Sequence, residues 1–472
     1  MRITILGAGL SGLYTAWRLS QRRDLDLEIT ILEKAQDVGG LCRSFAHGGI
    51  QFDLGSHRLH PSCRPEILDD LKHFLGNDLL LRPRRGRIRM LGRFLNFPLD
   101  LKNLGMNCPL SFTMGVARDA MMRIVRPKEV MGDSFRETML ALMGKTICER
   151  FYFPVARKMW GLEPEQISSK QALVRTKSSG LRGVLFKILA DLFSQTNAKT
   201  CFLYPRKGMG QIAGAMSQKL EQFGVTICRG INIKEICYGE KGVREVRAIQ
   251  DTGEPFYLET DLIFSSIPVS RLIDLLYPVP ADARGNGDGT LIFRSMLFLF
   301  LVLPTEQITP FDAHYFPENH YCFTRISEPK NYSGASRPEG ITGLCVEIPC
   351  APDDEVVQLT TEALEMKIRK ELSLAGFVLP TETKAVFRFL VPDAYPVYHL
   401  GYEQTKNKYL NMVSNIKGLI SLGRCGLFVH DNIHHTMAMA SDAASCIELG
   451  GRWNSSKWEE CLKSFQSFVV ED

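Results

Sequence analysis

The hydrophobic pattern opens with a β-rich run, RITIL (Arg2–Leu6). After a glycine-rich break, the apolar residues Leu13, Ala16, Trp17 and Leu19 recur at helical spacing. LEITILEK (Leu27–Lys34) then predicts a second strand ending in Glu33, so the chain begins strand–turn–helix–strand. The longest apolar run is MLFLFLVL (Met296–Leu303). It is far short of the roughly 18 residues that span a membrane, and it predicts a buried strand. Between them lies LRPRRGRIRMLGRFLNFPL (Leu81–Leu99), where Arg82, Arg84, Arg85, Arg87, Arg89 and Arg93 alternate around Ile88 and Met90. That pattern predicts a hairpin turning at LGRF, with Arg85, Arg87 and Arg89 on the face opposite Ile88 and Met90. The glycine-rich ARGNGDG (Ala283–Gly289) predicts a flexible loop, and no internal repeat or low-complexity stretch is evident.

Composition narrows the class. With 472 residues, 45% hydrophobic and 23% charged, the chain has the make-up of an ordinary globular protein of two or three domains. A net charge of +5, with no Lys/Arg block or basic–aromatic run, points away from nucleic acid. The first strand starts so close to Met1 that no signal peptide is expected. Thirteen cysteines occur singly, without a C-x-x-C pair. This argues against a disulfide framework or a metal knuckle and predicts a reducing, cytoplasmic setting.

Chemistry enters with the glycines. Gly7-Ala8-Gly9-Leu10-Ser11-Gly12 is a G-x-G-x-x-G loop between a strand and a helix. Gly7 permits the tight turn, Gly9 lets the backbone approach a pyrophosphate, and Gly12 allows close packing of helix on strand. The helix N-terminus offers N–H groups and a positive dipole to the anion. Glu33, followed by Lys34 at the end of the second strand, is placed to accept the ribose hydroxyls. These four features together predict dinucleotide binding.

The next segments distinguish the dinucleotide. GGLCRS (with Gly39, Gly40, Leu41 and Arg43) and FDLGSHRLH (with Asp53, Gly55, Ser56 and His57) resemble the GG-x-x-R/T and D-x-G-x-H motifs of glutathione-reductase-like flavoproteins. The closest resemblance is to the branch of amine oxidases, protoporphyrinogen oxidase, phytoene desaturase and UDP-galactopyranose mutase. YPRKGMGQIAGAM (Tyr204–Met216), GVTICRGINIKEI (Gly224–Ile236) and TDLIFSSIP (Thr260–Pro268) resemble further segments of that branch, with Thr260 standing where alanine is usual. NIKGLISLGRCGLFVHDNIHHTMAMASDAA (Asn415–Ala444) resembles its last motif, with Ala440 where a glycine is common. The resemblance implies FAD, with Ile233 against adenine and Gly423 and Arg424 at the last strand's end. It also implies a helix starting near His434–Met437, with His435, Thr436 and Met437 toward the flavin pyrimidine. It implies an α/β fold: a Rossmann-type FAD-binding domain (1–80, 203–270 and 385–472) with an inserted α+β substrate domain (81–202 and 271–384).

Within the insertions, KMWGLEPEQIS…LVRTKS (Lys158–Ser178) and HYFPENHYCFTRISEPKNYS (His314–Ser333) resemble mutase segments. By that resemblance Trp160, Arg175 and Arg325 are substrate-binding candidates. The arginine ladder reads either as a solvated basic edge strand or as an anion-binding face through Arg85 and Arg87. Tyr395 and Tyr398 in AYPVYHLGYE read either as substrate contacts or as core residues with satisfied hydroxyls. His57 is the candidate for moving protons near the ring. The expected reaction is transfer of a hydride from a small organic substrate to flavin, with O₂ or another acceptor completing the cycle. The alternative is a non-redox nucleotide-sugar mutase working with reduced FAD, whose substrate would be anionic. A carboxylate is the other anionic substrate that the arginines suggest.

Overall fold

The computed structural model describes residues 1–97, 107–125, 132–175, 201–280, 290–335 and 338–470. The predicted loop over 283–289 lies outside them, as do the side chains of 123–125 and of Arg175.

The opening pattern builds a five-stranded parallel sheet in the order Leu419–Ser421, Leu262–Ser265, Arg2–Leu6, Glu28–Leu32, Thr226–Cys228. A parallel sheet is covered on both faces, which is why its strands read as apolar runs rather than alternations. Ile3 and Ile5 point toward the helices Leu10–Ser20, Gly210–Gln222 and Ile433–Ser445. Leu6 and Ile263 point the other way, beneath a four-stranded sheet (Pro255–Glu259, Gly242–Gln250, Ile231–Gly239, Leu276–Tyr277). All five parallel strands come from the three segments expected to bind the nucleotide.

A seven-stranded mixed sheet forms the second layer system. Its order is Ala385–Pro396, Phe293–Leu303, Thr342–Cys350, Arg325–Ser327, Ala313–Tyr315, Gly86–Met90, Arg93–Phe97. Phe293–Leu303 contains the long apolar run and is buried on both faces. Leu297, Leu299, Leu301 and Leu303 pack with the helix Thr361–Leu374. Met296, Phe298, Phe300 and Val302 pack against Ile50, Phe52 and Leu54 of the first domain. The strand Ala385–Pro396, expected in the nucleotide-binding part, instead hydrogen-bonds to Phe293–Leu303 along its length. Its backbone donors are thereby satisfied in the second sheet. The short helices between Phe135 and Arg175 form a small satellite core around Met139, Phe153 and Trp160. Among the described residues no helix is long and apolar enough to cross a membrane.

Phe300 is fully buried where the two domains meet, with the rings of Phe45 and Phe52 centred 5.0 and 5.3 Å away. Phe300→Ala is expected to cost about 3–5 kcal/mol of unfolding free energy, read by urea titration.

Candidate functional site

The strand Arg2–Leu6 runs into a backbone cradle. Gly7 turns at φ +95°, and Gly9 caps the helix Leu10–Ser20 without a side-chain bond. A Cβ on Gly12 would stand 2.0 Å from the Gly7 carbonyl oxygen, so only glycine lets the helix start this close to the strand. The loop Gly39–Arg43 lies alongside. The Gly39 N–H donates to Ala8 O at 2.8 Å, Gly40 abuts Gly9, and Arg43 Nε donates to Gly40 O. Gly423 completes the rim, with a Cβ there reaching 2.3 Å from Ser11 Oγ. Glu33 accepts the Ala8 N–H at 2.7 Å and the Ala35 N–H at 2.9 Å, one on each oxygen. Each oxygen keeps a lone pair for a ribose hydroxyl. Lys34 is exposed beside it. Ile233 is partly buried in a strand whose first N–H, at Ile231, donates to Glu33 O. These residues fit a dinucleotide such as FAD: a pyrophosphate-sized approach bare of side chains, a helix N-terminus, and an acid at the ribose end.

Beyond the cradle the expected site residues take different roles. His57 Nε2 lies 2.9 Å from both Leu41 O and Leu54 O, so this nitrogen carries the proton and donates it. Burial lowers the imidazole pKa and keeps the ring neutral. His57 therefore anchors two loops through Nε2, and only Nδ1 is left for proton movement. Asp53, fully enclosed, accepts from Ser44 Oγ, Tyr204 Oη and the Met209 N–H. It fastens the Ile50–Asp53 strand to the YPRKGM segment.

The C-terminal helix spans Ile433–Ser445, starting one residue before the expected window. Met437 is core. The Thr436 hydroxyl donates to Asp431, and the Asn432 N–H donates to His435 Nδ1. The His435 ring is stacked on Phe468, 4.3 Å away, so it faces the C-terminal tail and offers the site its backbone alone. Arg424 donates from Nε to Asp431 Oδ1 at 2.6 Å and lies over the Tyr395 ring.

Trp160 meets Tyr395 and His430 edge-on, at centroid distances of 6.4 and 4.9 Å. Trp160, Tyr395 and Arg424 thus come together. Tyr398 is a core residue: buried, stacked on Tyr402, its hydroxyl donating to Phe428 O and accepting from the His430 N–H. Arg325 forks onto Glu347 at 2.8 and 2.7 Å, with its guanidinium over Tyr315. Arg175 ends the helix Ser169–Arg175, and its side chain lies outside the described residues.

Arg85 and Arg87 require a correction. The predicted alternation holds, but register places Arg87 beside His314 and His314 beside Ile326. Paired residues share a face and sequence neighbours do not, so Arg87 is on the opposite face of the sheet from Arg325. Arg87 stacks 3.8 Å from the Phe311 ring centre, and Arg85 holds Asp312 only through its backbone N–H.

Two residues escaped the sequence reading. Glu347 takes both the Arg325 fork and the Ser56 N–H and hydroxyl. Burial works against its charge, but Arg325 and Ser56 outweigh that and hold its pKa below the ordinary carboxylate range. The lone acid within GLCVEIPC was the available signal. Arg58, next to His57 in sequence, donates to Tyr315 Oη and Asp312, its guanidinium between Phe202 and Tyr332.

A parallel Rossmann sheet with a glycine cradle, a meander sheet on one face and an inserted second sheet define a dinucleotide-binding α/β protein of the glutathione-reductase-like kind. Residues 5–74 match the family model for NAD(P)-binding Rossmann-like domains. Coproporphyrinogen III oxidase of Staphylococcus aureus (strain NCTC 8325 / PS 47) is 22% identical over 261 residues, covering 51% of this chain and 55% of that protein. The dTDP-fucopyranose mutase of Escherichia coli is 22% identical over 172 residues, covering 35% of this chain and 43% of the mutase. The chain thus spans about half the length of the curated relatives it matches. Among solved structures, reduced UDP-galactopyranose mutase superposes with a TM-score of 0.77 at 20% identity, covering 94% of this chain and 93% of that one. At such identity the structural likeness is one of fold. The motif-based resemblance to protoporphyrinogen oxidase-like flavoproteins with mutase-like segments is borne out, and FAD is in keeping with these relatives.

Removing the Glu347 carboxylate strands Arg325 in the seam. Glu347→Leu is expected to cost about 3–5 kcal/mol in urea unfolding. Arg325→Met combined with Glu347→Leu should recover much of that loss, because the pair carries its own desolvation penalty.

Proposed function

We propose that the chain is an FAD-dependent oxidoreductase acting on a small organic substrate. The observation that carries this reading is the backbone cradle built by Gly7–Gly12, Gly39–Arg43 and Gly423, which keeps side chains away from a pyrophosphate-sized approach. Arg424, next to Gly423 on its rim, lies over the Tyr395 ring, while His57 spends Nε2 on two carbonyls. Bound FAD supplies the hydride acceptor at its N5, and hydride transfer needs no protein base. The protein's share is placement. The first-turn N–H groups of Leu10–Ser20 would hold the pyrophosphate, Glu33 would hold the ribose, and the N-terminus of Ile433–Ser445 would favour negative charge on the flavin pyrimidine. Tyr395, half-buried between the Arg424 guanidinium and the core residue Trp160, would offer a substrate its aromatic face. Thirteen cysteines without a disulfide fit a reducing cytoplasm.

One observation favours the second reading, a non-redox nucleotide-sugar mutase. Arg325 uses Nε and Nη2 on Glu347 and keeps Nη1 without a hydrogen-bond partner among the described residues, a donor for a diphosphate. The two readings separate on one preparation. Anaerobic bleaching of the flavin by an amine or a porphyrinogen supports the oxidoreductase. Conversion of UDP-galactose to its furanose form by dithionite-reduced protein, without flavin turnover, would sink it.

The cradle has its own test. The purified chain is expected to release FAD, rather than FMN, on heating. Gly12→Val, whose Cβ has no room beside Gly7 O, should lower flavin occupancy at least tenfold, read by absorbance against protein concentration. Full occupancy in the variant would remove the cradle from the argument.

A further inference from the structure

The K-x-W-G segment contains a residue to which neither reading gives a role. Lys158 lies on the helix Phe153–Trp160, two residues before the tryptophan. Its ammonium donates to three backbone carbonyls, Phe316 O and Glu318 O at 2.6 Å and Phe323 O at 3.1 Å. It forms no ion pair with any described residue. All three acceptors belong to one turn, 316–323, which joins the strands Ala313–Tyr315 and Arg325–Ser327. The backbone bonds of the turn are few: Phe316 N–H to Thr324 O, a long Tyr321 N–H to Glu318 O, and Cys322 N–H to Glu371. Its side chains are anchored elsewhere, Phe316, Tyr321 and Phe323 in the core and Tyr321 and Glu318 by Arg89, so the ammonium is what gathers its carbonyls.

Both ends of that turn carry inner-face residues of the seven-stranded sheet. Tyr315 precedes it and accepts from Arg58, and Arg325 follows it and forks onto Glu347. On the other side, the helix ends at Trp160, against Tyr395 and His430. Packing alone would be served by a methionine of similar length without the cost of desolvating a charge. Desolvation pulls the Lys158 amine down to about 7, with Cys322, Glu371 and Glu318 acting weakly the other way. Only an ammonium has three hydrogens for three carbonyls.

We propose that Lys158 is a positioning residue: by holding the carbonyls of Phe316, Glu318 and Phe323 it fixes the helix end at Trp160 relative to Tyr315 and Arg325 at the two ends of the turn. This rests on the reading of Arg325, and of Tyr395 against Trp160, as substrate-side residues, but its test uses no flavin and no substrate, so it can fail while the flavin reading stands.

Lys158→Met and Lys158→Arg are compared with the parent by amide hydrogen exchange and by the emission of Trp160, isolated from the four tryptophans by difference with Trp160→Phe. In Lys158→Met, exchange of the 316–324 amides should rise at least tenfold and the Trp160 emission should shift. The parallel-sheet amides of 2–6 and 262–265 should keep their protection. Lys158→Arg, still a cation with several donors, should restore most of the turn's protection. Unchanged exchange in the turn, or equal loss in turn and parallel sheet, would overturn the proposal. If Lys158→Met does not fold, the parent decides: acetic anhydride should label Lys158 at least tenfold more slowly than exposed Lys34, and labelling at equal rates would overturn the proposal.

Discussion

The architecture turns on one enclosed carboxylate. Glu347 stands on the inner face of the seven-stranded sheet, yet its oxygens are filled from both domains: the Ser56 N–H and hydroxyl from the nucleotide-binding loop, and the Arg325 fork from the neighbouring strand. Four charge-assisted bonds offset the desolvation that burial imposes, and they do so only if both domains sit in one relation. Ser56 is next to His57, whose imidazole pins Leu41 O and Leu54 O. The position of the cofactor-side loops relative to the substrate-side strands is therefore set at this acid, together with the Arg58 bonds to Asp312 and Tyr315 and the Phe300 contact.

That relation makes the two faces of the second sheet unequal. Along Phe293–Leu303, alternate residues bury against different partners: Phe298 and Phe300 against the first domain, Leu297 and Leu299 against the helix Thr361–Leu374. The rows continue across the sheet. Tyr315, Arg325, Glu347 and Phe298 share the inner face, while His314, Ile326, Val346 and Leu299 share the outer one. The inner face is the one that meets the nucleotide-binding segment, through Ser56 on Glu347 and Phe52 against Phe300. The outer face is an ordinary core, and its edge arginines are stacked on aromatic rings such as Phe311 and Phe94.

This explains what could be read without the structure. The cradle was legible because its parts are local: Gly7 to Glu33 is one strand–helix–strand unit, and each residue type has a steric or electrostatic reason to be there. The apolar run at Met296–Leu303 was equally plain. The face parity of the arginines was not. Alternation correctly grouped Arg85 with Arg87 and Arg89, but whether that group faces Arg325 depends on the pairing of Arg87 with His314, more than two hundred residues away. Nothing in either segment specifies that register. The same holds for Glu347, an acid in an apolar strand whose partners come from two distant segments. The choice for Tyr398 between pocket and core was settled by its stack on Tyr402 and its bonds to Phe428 O and the His430 N–H.

The arginines around the pocket also constrain how a substrate is chosen. Arg58, Arg325 and Arg424 are each matched to an internal acid, Asp312, Glu347 and Asp431 respectively. A guanidinium held by its own carboxylate is rigid before anything binds, so its remaining donors are aimed without a further entropic cost. It also contributes little net field, because the paired charges cancel at a distance of several ångströms. On the function proposed above, selection would rest on shape against Tyr395 and on hydrogen-bond geometry, rather than on attraction of charge. A substrate that places an oxygen at the free edge of Arg325 and an apolar or conjugated portion beside the Tyr395 ring would satisfy both requirements at once.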